Sequence, residues 1–361
     1  MKIIVSVTNR ASYPRVKTVI GALGAHCRVY LMNPEPDILV DLENIGIGRE
    51  RIRTDMSRVP GGRHSMALTS GDLTRQFSGL LEMEKPDAVV CVGDRHEVLS
   101  VAHATRIMGV KLYHLLAGER SGSIDDDIRF AITALSDVLL VPHEFAKTEL
   151  AVRGYRREYV KVTGCPSIDL CRNIRKAPRH ETLRYGFGSN FNAEAPFHII
   201  CIHPDVDASR TENMYQIAKG LEFACYREDV FKEASIWIQP SMHDADGAQM
   251  RKYLVQNAPS TQRIVRHMPY DLMLSLLSEC ISIAGNSSVM YREAAFLNKV
   301  ALSVGKRQSS RIITKNIRHF WDLAEAKGVV DFSNTFQDTL WDMEDCGKAA
   351  ALAILDSAEC F

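Results

Sequence analysis

The stretch KIIVSVTNRASYPRVKTVIGALGAHCRVYLM, residues 2–32, decides the fold class. Its ends, KIIVSV and CRVYLM, are short runs of β-branched and other apolar residues, and the segment SYPRVKTVIGAL between them has a helical pattern. Continuously apolar strands of this kind are typical of parallel sheets that are covered on both faces. A strand, a helix and a second strand in this order predict a doubly wound α/β domain.

The same alternation continues along the chain and then starts again. Further strand-like runs of the first half are DAVVCVG, KLYHLL, DVLLVP and YVKVTG. After a junction near residues 165–185, a second series consists of FHIICIHP, SIWIQP, TQRIVRHM, CISIAG and KVALSVG. The sequence therefore predicts two Rossmann-like domains, 1–172 and 173–345, and a C-terminal helix within 346–361 that packs back on the first domain.

Composition and charge exclude several classes of function. The 361 residues are 46% hydrophobic and 24% charged, which is typical of a soluble globular protein. The 44 basic residues balance the 44 acidic ones, which argues against nucleic acid or an acidic membrane as a partner. Nine cysteines without a C-x-x-C pair favour reduced thiols in a cytoplasmic protein over disulfides or zinc. The first apolar run is too short for a signal peptide, and no run is long enough to span a membrane.

Polar residues collect directly after the predicted strands. In open α/β sheets, ligands bind beyond the carboxyl ends of the strands, so two such domains would hold a ligand in the cleft between them. The polar residues in question are Asp94, Arg95, Glu119, Asp125, Asp126, Asp127, Arg129, His203, Arg307 and Arg311. The loop RVPGGRHS, with adjacent Gly61 and Gly62, is either a mobile lid or an ordinary connection.

The segment GNSSVMYREAA is the best candidate for an anion site. Small residues allow backbone N–H groups to approach a phosphate, and a helix start would add partial positive charge. Ser287 and Ser288 add hydroxyl donors, Arg307 follows the next strand, and Glu293 is placed to hold two ribose hydroxyls if it faces the cleft. The alternatives are an ordinary N-cap for the serines and a solvent-facing acid for Glu293.

Two common nucleotide motifs are absent from the sequence. There is no G-x-G-x-x-G after the first strand and no G-x-x-x-x-G-K-[ST] anywhere, which weakens the dinucleotide oxidoreductase and P-loop interpretations. A diphosphate held by the second domain, as part of a nucleotide sugar, fits better.

The densest group of acids lies in HLLAGERSGSIDDDIRF, residues 114–130. Acids behind a strand end suggest proton transfer, although aspartates are also favoured electrostatically at a helix N-terminus. One aspartate that points into the cleft while the others cap the helix would satisfy both interpretations.

Taken in order, these motifs resemble the hydrolysing UDP-N-acetylglucosamine 2-epimerases. The set runs from about Asn9 to Arg311 and consists of NRASY, GDRHE, HLLAGERSGSIDDDIRFAIT, VTGCPSID, the HP pair after a strand, GNSSVMYREAA and GKRQSSR. The resemblance implies a GT-B fold, two Rossmann-like domains with a nucleotide sugar between them. It also implies anti elimination of UDP followed by hydration of 2-acetamidoglucal, in a homo-oligomer without a redox cofactor. We expect no metal site, and the 361 residues leave no room for the added kinase domain of the bifunctional animal enzyme.

The resemblance also assigns roles to individual residues. The catalytic set is Asp94, Asp125, Glu119 and His203, with His203 close to the phosphates. The substrate-binding set is Arg10, Arg15, Arg95, Arg129, the backbone at Met268, Ser287, Ser288, Glu293 and Arg307. Within that set, Arg10 would contact the diphosphate or uridine, Met268 the uracil, and Glu293 the ribose. Ser287, Ser288 and Arg307 would hold the diphosphate.

Three residues depart from the family pattern. Leu116 stands at the first glutamate of the usual HIEGGE, Ser12 replaces the aspartate of the usual RADY, and Ser241 stands where asparagine is common. Three hypotheses follow: the family reaction, altered chemistry on another nucleotide sugar or sugar phosphate, or a non-catalytic nucleotide-sugar binder. Leu116 discriminates between them, because leucine cannot transfer a proton.

Overall fold

Two parallel β-sheets form the framework of the protein, which the computed structural model describes over residues 1–55, 62–242, 244–327, 332 and 338–358. The strands of the first sheet are β1 Ile3–Val7, β2 Cys27–Met32, β3 Ile52–Asp55, β4 Ala88–Val92, β5 Lys111–Leu115, β6 Val138–Val141 and β7 Val160–Val162. Their order is β3-β2-β1-β4-β5-β6-β7. The second sheet contains β8 Phe197–Cys201, β9 Ala234–Ile238, β10 Arg263–Val265, β11 Ser282–Gly285, β12 Val300–Val304 and β13 Ile317–Phe320. Its order is β10-β9-β8-β11-β12-β13.

Helices connect the strands. In the first half they are α1 Lys17–Leu23, α2 Pro36–Asn44, α3 Arg63–Glu84, α4 His96–Ile107, α5 Asp125–Leu135, α6 Glu144–Val152 and α7 Pro166–Arg172. The second half has α8 Arg210–Phe231, α9 Gly247–Asn257, α10 Tyr270–Glu279 and α11 Glu293–Phe296, and α12 Cys346–Ala358 ends the described chain. None of the described helices is both long enough and apolar enough to cross a bilayer. Gly61 of the loop RVPGGRHS lies outside the described residues.

Both faces of each sheet are apolar, as the continuous strand runs predict. In the first sheet, Val5 packs with the α1 residue Val19 on one face. Its neighbour Ile4 packs with the α3 residue Phe77 on the other face. Successive side chains of a strand point to opposite faces, so an apolar run is buried throughout only when helices cover both sides.

The strand order reverses at the same place in each half. In the first sheet β1 lies beside β4, and in the second β8 lies beside β11. The loops after these four strands diverge to opposite faces of their sheets and leave a crevice, which is where doubly wound proteins bind ligands. The predicted site residues after β1, β4, β8 and β11 are thereby placed at the two switch points.

The last helix returns to the first half of the protein. Asp169 in α7 accepts hydrogen bonds from the backbone N–H of Cys346 (2.9 Å) and of Gly347 (2.7 Å) at the start of α12. Gly347 packs so closely on α1 that a Cβ atom there would lie 2.2 Å from Oγ1 of Thr18. Only glycine allows this approach. The division of the chain at residue 172 stays a prediction.

Candidate active site

A cleft of about 790 Å³ lies at the carboxyl ends of both sheets. Most of the residues that the sequence assigned to the site line it, namely Arg10, Arg15, Asp94, Arg95, Asp125, His203, Met268, Ser287, Ser288, Glu293 and Arg307. Two do not: Glu119 and Arg129 are buried behind the cleft wall. Among the described residues, no group of three or more His, Cys, Asp or Glu side chains is placed to hold a metal ion.

Asp94 lies in the loop after β4, directly after Gly93, whose φ of +89° favours glycine. Behind it, Arg129 of α5 is only 1% exposed and donates from Nη2 to Oδ2 of Asp94. The guanidinium compensates the charge of this carboxylate and fixes its position. Arg129 therefore acts on the site through Asp94 and does not line the cleft itself.

The three aspartates at the start of α5 have different surroundings. Asp125 lines the cleft, and burial raises its pKa although Arg307 and Arg95 oppose the shift. Asp126 instead accepts from the backbone N–H groups of Ser121 (2.6 Å) and Gly122 (2.9 Å), so it closes the turn before the helix. Asp127 is exposed. Of these three aspartates, only Asp125 lines the cleft.

The turn after β11 does not lead into the helix start that the sequence predicted for the anion site. Gly285 has a φ of +136°, and a Cβ atom there would lie 2.1 Å from the carbonyl oxygen of Cys201. The turn leads into a 3-10 turn, Ser288–Tyr291, and the four-residue α11, not into a long helix. A helix macrodipole therefore contributes little here. The donors that remain for a phosphate are the serine hydroxyls, the backbone N–H groups and Arg307.

Arg307 connects this turn to the acid on the opposite wall. Its Nη1 donates to the carbonyl oxygen of Asn286 at 3.0 Å, and its Nη2 lies 3.7 Å from Oδ2 of Asp125. Two more arginines cross the cleft from the first half: Arg15 donates to Oγ of Ser288 at 3.1 Å, and Arg10 donates to the carbonyl oxygen of Met268.

His203 follows β8 and is held through its backbone. Its N–H donates to Oδ1 of Asn286 at 2.7 Å, and its carbonyl oxygen accepts from Nδ2 of the same asparagine at 2.9 Å. Burial, reinforced by the nearby Arg307, lowers the pKa of His203 to about 4. The imidazole is therefore neutral at pH 7, so it contributes hydrogen bonds rather than positive charge to any phosphate.

Arg95 makes a contact that the sequence did not reveal. Its guanidinium forms an ion pair with Asp244 of the second half, and its Nε donates to Oε2 of Glu97 at 3.0 Å. No motif marks Asp244, because its role depends on how the two halves face each other. Arg95 thus links the two walls of the cleft while it remains at the cleft surface.

Glu119 is buried among arginines instead of facing the substrate. Oε1 accepts from Nη1 of Arg311 at 3.0 Å, and Oε2 lies 3.2 Å from Nη2 of Arg292. Burial alone would raise the pKa of Glu119, but Arg292 and Arg311, with smaller contributions from His143 and Arg15, together outweigh it and lower the pKa to about 2. The structure therefore places Glu119 between the halves, behind the cleft surface, and its catalytic role stays a prediction.

Glu119→Gln is expected to destabilise the protein by about 3–5 kcal/mol, because it leaves two buried guanidinium groups without their carboxylate. Urea unfolding at pH 7 measures this difference. The folded pKa of Glu119 lies below its unfolded value of 4.5, so the native advantage is full above pH 4.5 and is lost as the pH falls toward 2. Glu158→Gln, at an exposed ion pair with Arg156, is the matched control. Equal stability of the Glu119→Gln variant and the native protein would contradict the assignment.

Leu116 lies in the first apolar cluster, not on the cleft wall. It is 1% exposed and packs in the same cluster as Val16 and Cys165. Its φ of +62° is rare for a residue with a side chain and costs about 1–2 kcal/mol. The chain thus bends sharply after β5 and presents leucine where the family pattern has a carboxylate.

The sequence matches the model of a known protein family over most of its length. A family model described as UDP-N-acetylglucosamine 2-epimerase matches residues 16–320. The chain belongs to the UDP-N-acetylglucosamine 2-epimerase family. The matched range includes the Asp94 loop, the start of α5, the Ser287–Ser288 turn and Arg307, whereas Arg10 and Arg15 precede it.

Curated members of this family are similar over most of the chain. A GDP/UDP-N,N'-diacetylbacillosamine 2-epimerase (hydrolyzing) of Campylobacter jejuni is 28% identical over 67% of this chain and 62% of its own length. A UDP-N-acetylglucosamine 2-epimerase of Neisseria meningitidis is 28% identical over 70% of this chain and 65% of its own length. The matched region thus spans less than two thirds of each relative.

Solved structures of the family have the same fold. The Neisseria meningitidis UDP-GlcNAc 2-epimerase bound to UDP-GlcNAc superposes with a TM-score of 0.76 at 15% identity, covering 99% of this chain and 100% of that one. The Methanocaldococcus jannaschii enzyme, in complex with UDP-GlcNAc and UDP, gives 0.76 at 16% identity with the same coverage. The predicted GT-B architecture, two Rossmann-like halves around a cleft, is confirmed.

Proposed function

We propose that this protein is a hydrolysing 2-epimerase of a UDP-linked amino sugar. The observation that carries the proposal is the bridge that Arg307 makes from the Asn286 carbonyl to the Asp125 carboxylate. An elimination needs an acid–base group within a few ångströms of the leaving diphosphate. Here the Arg307 side chain connects the turn that would bind the diphosphate to the Asp125 carboxylate. The family membership supports the same assignment.

The reaction consists of two balanced steps. First, a carboxylate removes the proton from sugar carbon 2, the electrons of that C–H bond form the carbon 1–carbon 2 double bond, and UDP leaves with the electrons of the carbon 1–oxygen bond. Water then adds its hydroxyl group to carbon 1, and a proton is delivered to the opposite face of carbon 2. The products are UDP and the free 2-epimer.

The surroundings of the two acids favour different roles. Asp94 is paired with the buried Arg129, so it suits the group that accepts the carbon 2 proton as a carboxylate. Burial raises the pKa of Asp125, so Asp125 suits the group that carries a proton beside the leaving phosphate. The two carboxyl groups thus differ in their surroundings, with a buried guanidinium group beside Asp94 and burial acting on the charge of Asp125.

The nucleotide is expected to bind chiefly to the second half. Ser287, Ser288 and Arg307 hold the diphosphate in this proposal, and the buried Glu293 holds the ribose. Glu293 accepts from the Tyr270 hydroxyl at 3.2 Å through Oε1, and its Oε2 has no hydrogen-bond partner among the described residues. That oxygen is available to ribose hydroxyls. Arg10 must release the Met268 carbonyl before uracil can use it.

Arg307→Ala and Ser287→Ala are each expected to weaken UDP binding. Loss of one hydrogen bond to a charged phosphate costs about 1.5–3 kcal/mol, so Arg307→Ala should raise the Kd at least tenfold. Titration calorimetry with UDP measures the change. Arg156→Ala, which removes an arginine that is 71% exposed in its side chain, is the control and should leave UDP affinity unchanged. Unchanged affinity in both cleft variants would place the diphosphate elsewhere.

We also propose that the enzyme is a cytoplasmic homodimer that needs no redox cofactor. Eight cysteines in the described part of the chain are free thiols, which suits a reducing compartment. The reaction above is neutral in redox terms. Light scattering on the purified protein measures its mass, and a monomer would contradict the dimer.

The activity itself is tested by following UDP release and the sugar product together by NMR. The substrates are UDP-N-acetylglucosamine and its counterpart oxidised to a carboxylate at carbon 6. We expect a free 2-epimer from at least one of them. UDP binding without UDP release from either sugar would support the non-catalytic binder instead.

A further inference from the structure

Helix α5, whose first residue is Asp125, begins at a residue that cannot cap it. The N-cap position is occupied by Ile124, whose apolar side chain makes no capping hydrogen bond. Serine, threonine, aspartate and asparagine are the residues that usually satisfy the free N–H groups at a helix start, and isoleucine is among the poorest. The position of Asp125 therefore depends on groups that lie outside its own helix cap.

The anion beside this helix start comes from the second half of the protein. Oδ2 of Asp207, in the loop after β8, accepts from the backbone N–H of Ile124 at 2.6 Å. A hydrogen bond to a carboxylate is stronger than one between neutral groups, and a negative charge is favoured near a helix N-terminus. Asp207 thus holds the residue that directly precedes Asp125.

Asp207 is itself held in place by its loop. Its N–H donates to Oδ1 of Asp205 at 3.1 Å. The backbone of Asp205 is tied to Asn213 of α8, because its N–H donates to Oδ1 of Asn213 at 2.8 Å and its carbonyl oxygen accepts from Nδ2 at 2.9 Å. Asn213 is only 3% exposed. The loop therefore presents the Asp207 carboxylate from a fixed base in the second half.

A second loop of the same half contacts the segment before α5. The N–H of Ser310 donates to the carbonyl oxygen of Ser121 at 3.0 Å. At Gly122, where φ is +98°, a Cβ atom would lie 2.6 Å from Oγ of Ser309. Residues 121–124 are thus enclosed by two loops of the second half, and the contacts are made largely by backbone atoms.

Packing of side chains does not replace these hydrogen bonds. A cavity of about 240 Å³ is lined by Ile124 and Asp125 from the first half and by residues 204–206 from the second. Where this cavity lies, the two halves do not pack directly against each other. The hydrogen bond from Ile124 to Asp207 therefore carries much of the positioning at this point.

We propose that Asp207 is a positioning residue, which holds Asp125 in the cleft by capping α5 from the opposite half. The inference rests on the proposed function, since it assumes that Asp125 transfers a proton. Asp207 does not itself line the cleft, so it acts through the start of α5. The half that would bind the diphosphate thereby also sets the acid of the other half in place.

Substitutions of Asp207 test this role in turnover of a UDP-sugar. Replacing a cap residue by alanine changes an equilibrium constant by about 2–30-fold, so Asp207→Ala should lower kcat severalfold. The Kd of UDP, measured by calorimetry, should not change, because the diphosphate groups are untouched. Asp207→Asn keeps an acceptor oxygen and should recover most of the loss. Asp229→Ala removes an exposed aspartate near the end of α8 and is the matched control.

A second background separates positioning from a general loss of structure. In Asp125→Asn, the added Asp207→Ala substitution should lower kcat no further, since the group that it positions is already gone. Native turnover in Asp207→Ala, or the same loss in both backgrounds, would overturn the proposal.

Hydrogen exchange followed by mass spectrometry tests the contact without any substrate. A peptide that covers residues 121–128 should exchange faster in Asp207→Ala than in the native protein or in Asp229→Ala, and peptides of α9 should be unchanged. Unchanged exchange at residues 121–128 would overturn the proposal. This measurement decides the role of Asp207 even if no UDP-sugar is turned over, an outcome that would refute the proposed function alone.

Discussion

Replacing Asp125 by asparagine is expected to lower turnover by about 10²–10⁴-fold, the usual contribution of a positioned acid–base group. The proton on sugar carbon 2 is weakly acidic, so elimination depends on carboxyl groups beside the leaving phosphate. Asp125 lies in the cleft with Arg307 at 3.7 Å. Asp94→Asn should have an effect of the same order, since it removes the carboxylate that Arg129 holds in place. UDP release in a coupled assay, with the better of the two UDP-sugars, measures both variants.

The start of α5 offers its own controls. Asp127→Asn changes an exposed aspartate in the same turn of helix and should leave turnover unchanged. Asp126→Asn removes the acceptor of the Ser121 and Gly122 N–H groups, so it should lower stability more than the chemical rate. If Asp94→Asn and Asp125→Asn both turned over like the native protein, the assignment of proton transfer to these acids would be wrong.

The strands could be predicted from the sequence because most of them are buried on both faces. Each of the eleven apolar runs contains a strand, and CRVYLM matches β2 residue for residue. The two strands that the sequence did not reveal, β3 and β13, lie at edges of their sheets. Their sequences, IRTD and IRHF, mix polar and apolar residues because only part of each strand is covered. These two strands therefore lack the apolar run on which such predictions depend, whereas the other two edge strands, β7 and β10, retain one.

The helix boundaries were less predictable for a local reason. The segment SYPRVKTVIGAL contains Pro14, and the structure has a 3-10 helix over Arg10–Arg15 before α1 begins at Lys17. The segment after GNSS likewise winds into a 3-10 turn and only four residues of α-helix. In both segments the sequence pattern predicts an α-helix, and the backbone beside the cleft instead forms a 3-10 helix before a short α-helix begins.

The site could be predicted where a residue follows a strand and not where it depends on contacts between the two halves. Asp94, His203 and Ser287 lie at the carboxyl ends of strands, so the topology alone places them at the cleft. Arg292 lies in the GNSS segment directly before Glu293, yet nothing in the sequence shows that it turns inward to Glu119. The partner of a buried ion is chosen by the packing of distant segments, which a pattern of spacings does not contain.

Three arginines of the proposed binding site also connect the two halves of the protein. Arg10, Arg15 and Arg307 each extend from one half to an acceptor on the other. Long guanidinium side chains can exchange a protein acceptor for a phosphate or carboxylate oxygen with little change in geometry. Substrate binding would then replace contacts between the halves with contacts to the ligand, so affinity and the relative position of the halves are coupled.

Leu116→Glu is expected to produce the largest gain of function available in this chain. Epimerisation needs a proton removed from one face of carbon 2 and another delivered to the opposite face, and a glutamate at position 116 would add to Asp94 and Asp125 a proton route that leucine cannot provide. We therefore expect the native protein to convert UDP-N-acetylglucosamine to N-acetylmannosamine only weakly. A glutamate at position 116 replaces a side chain that is 1% exposed in the first apolar cluster, so the gain depends on its carboxylate reaching the cleft. Like leucine, it must accept the φ of +62°.

The measurement is product formation from UDP-N-acetylglucosamine by NMR in deuterated water, which also reports whether carbon 2 exchanges its proton. Leu116→Glu should raise conversion above the native level, and Leu116→Gln, with the same shape but no charge, should not. Native turnover at ordinary enzyme rates, about 1–10³ per second, with deuterium entering carbon 2, would contradict this expectation. Another group of the cleft would then supply the missing proton route. The neutral imidazole of His203, which lines the cleft and has a pKa of about 4, would be the first to test, by His203→Gln.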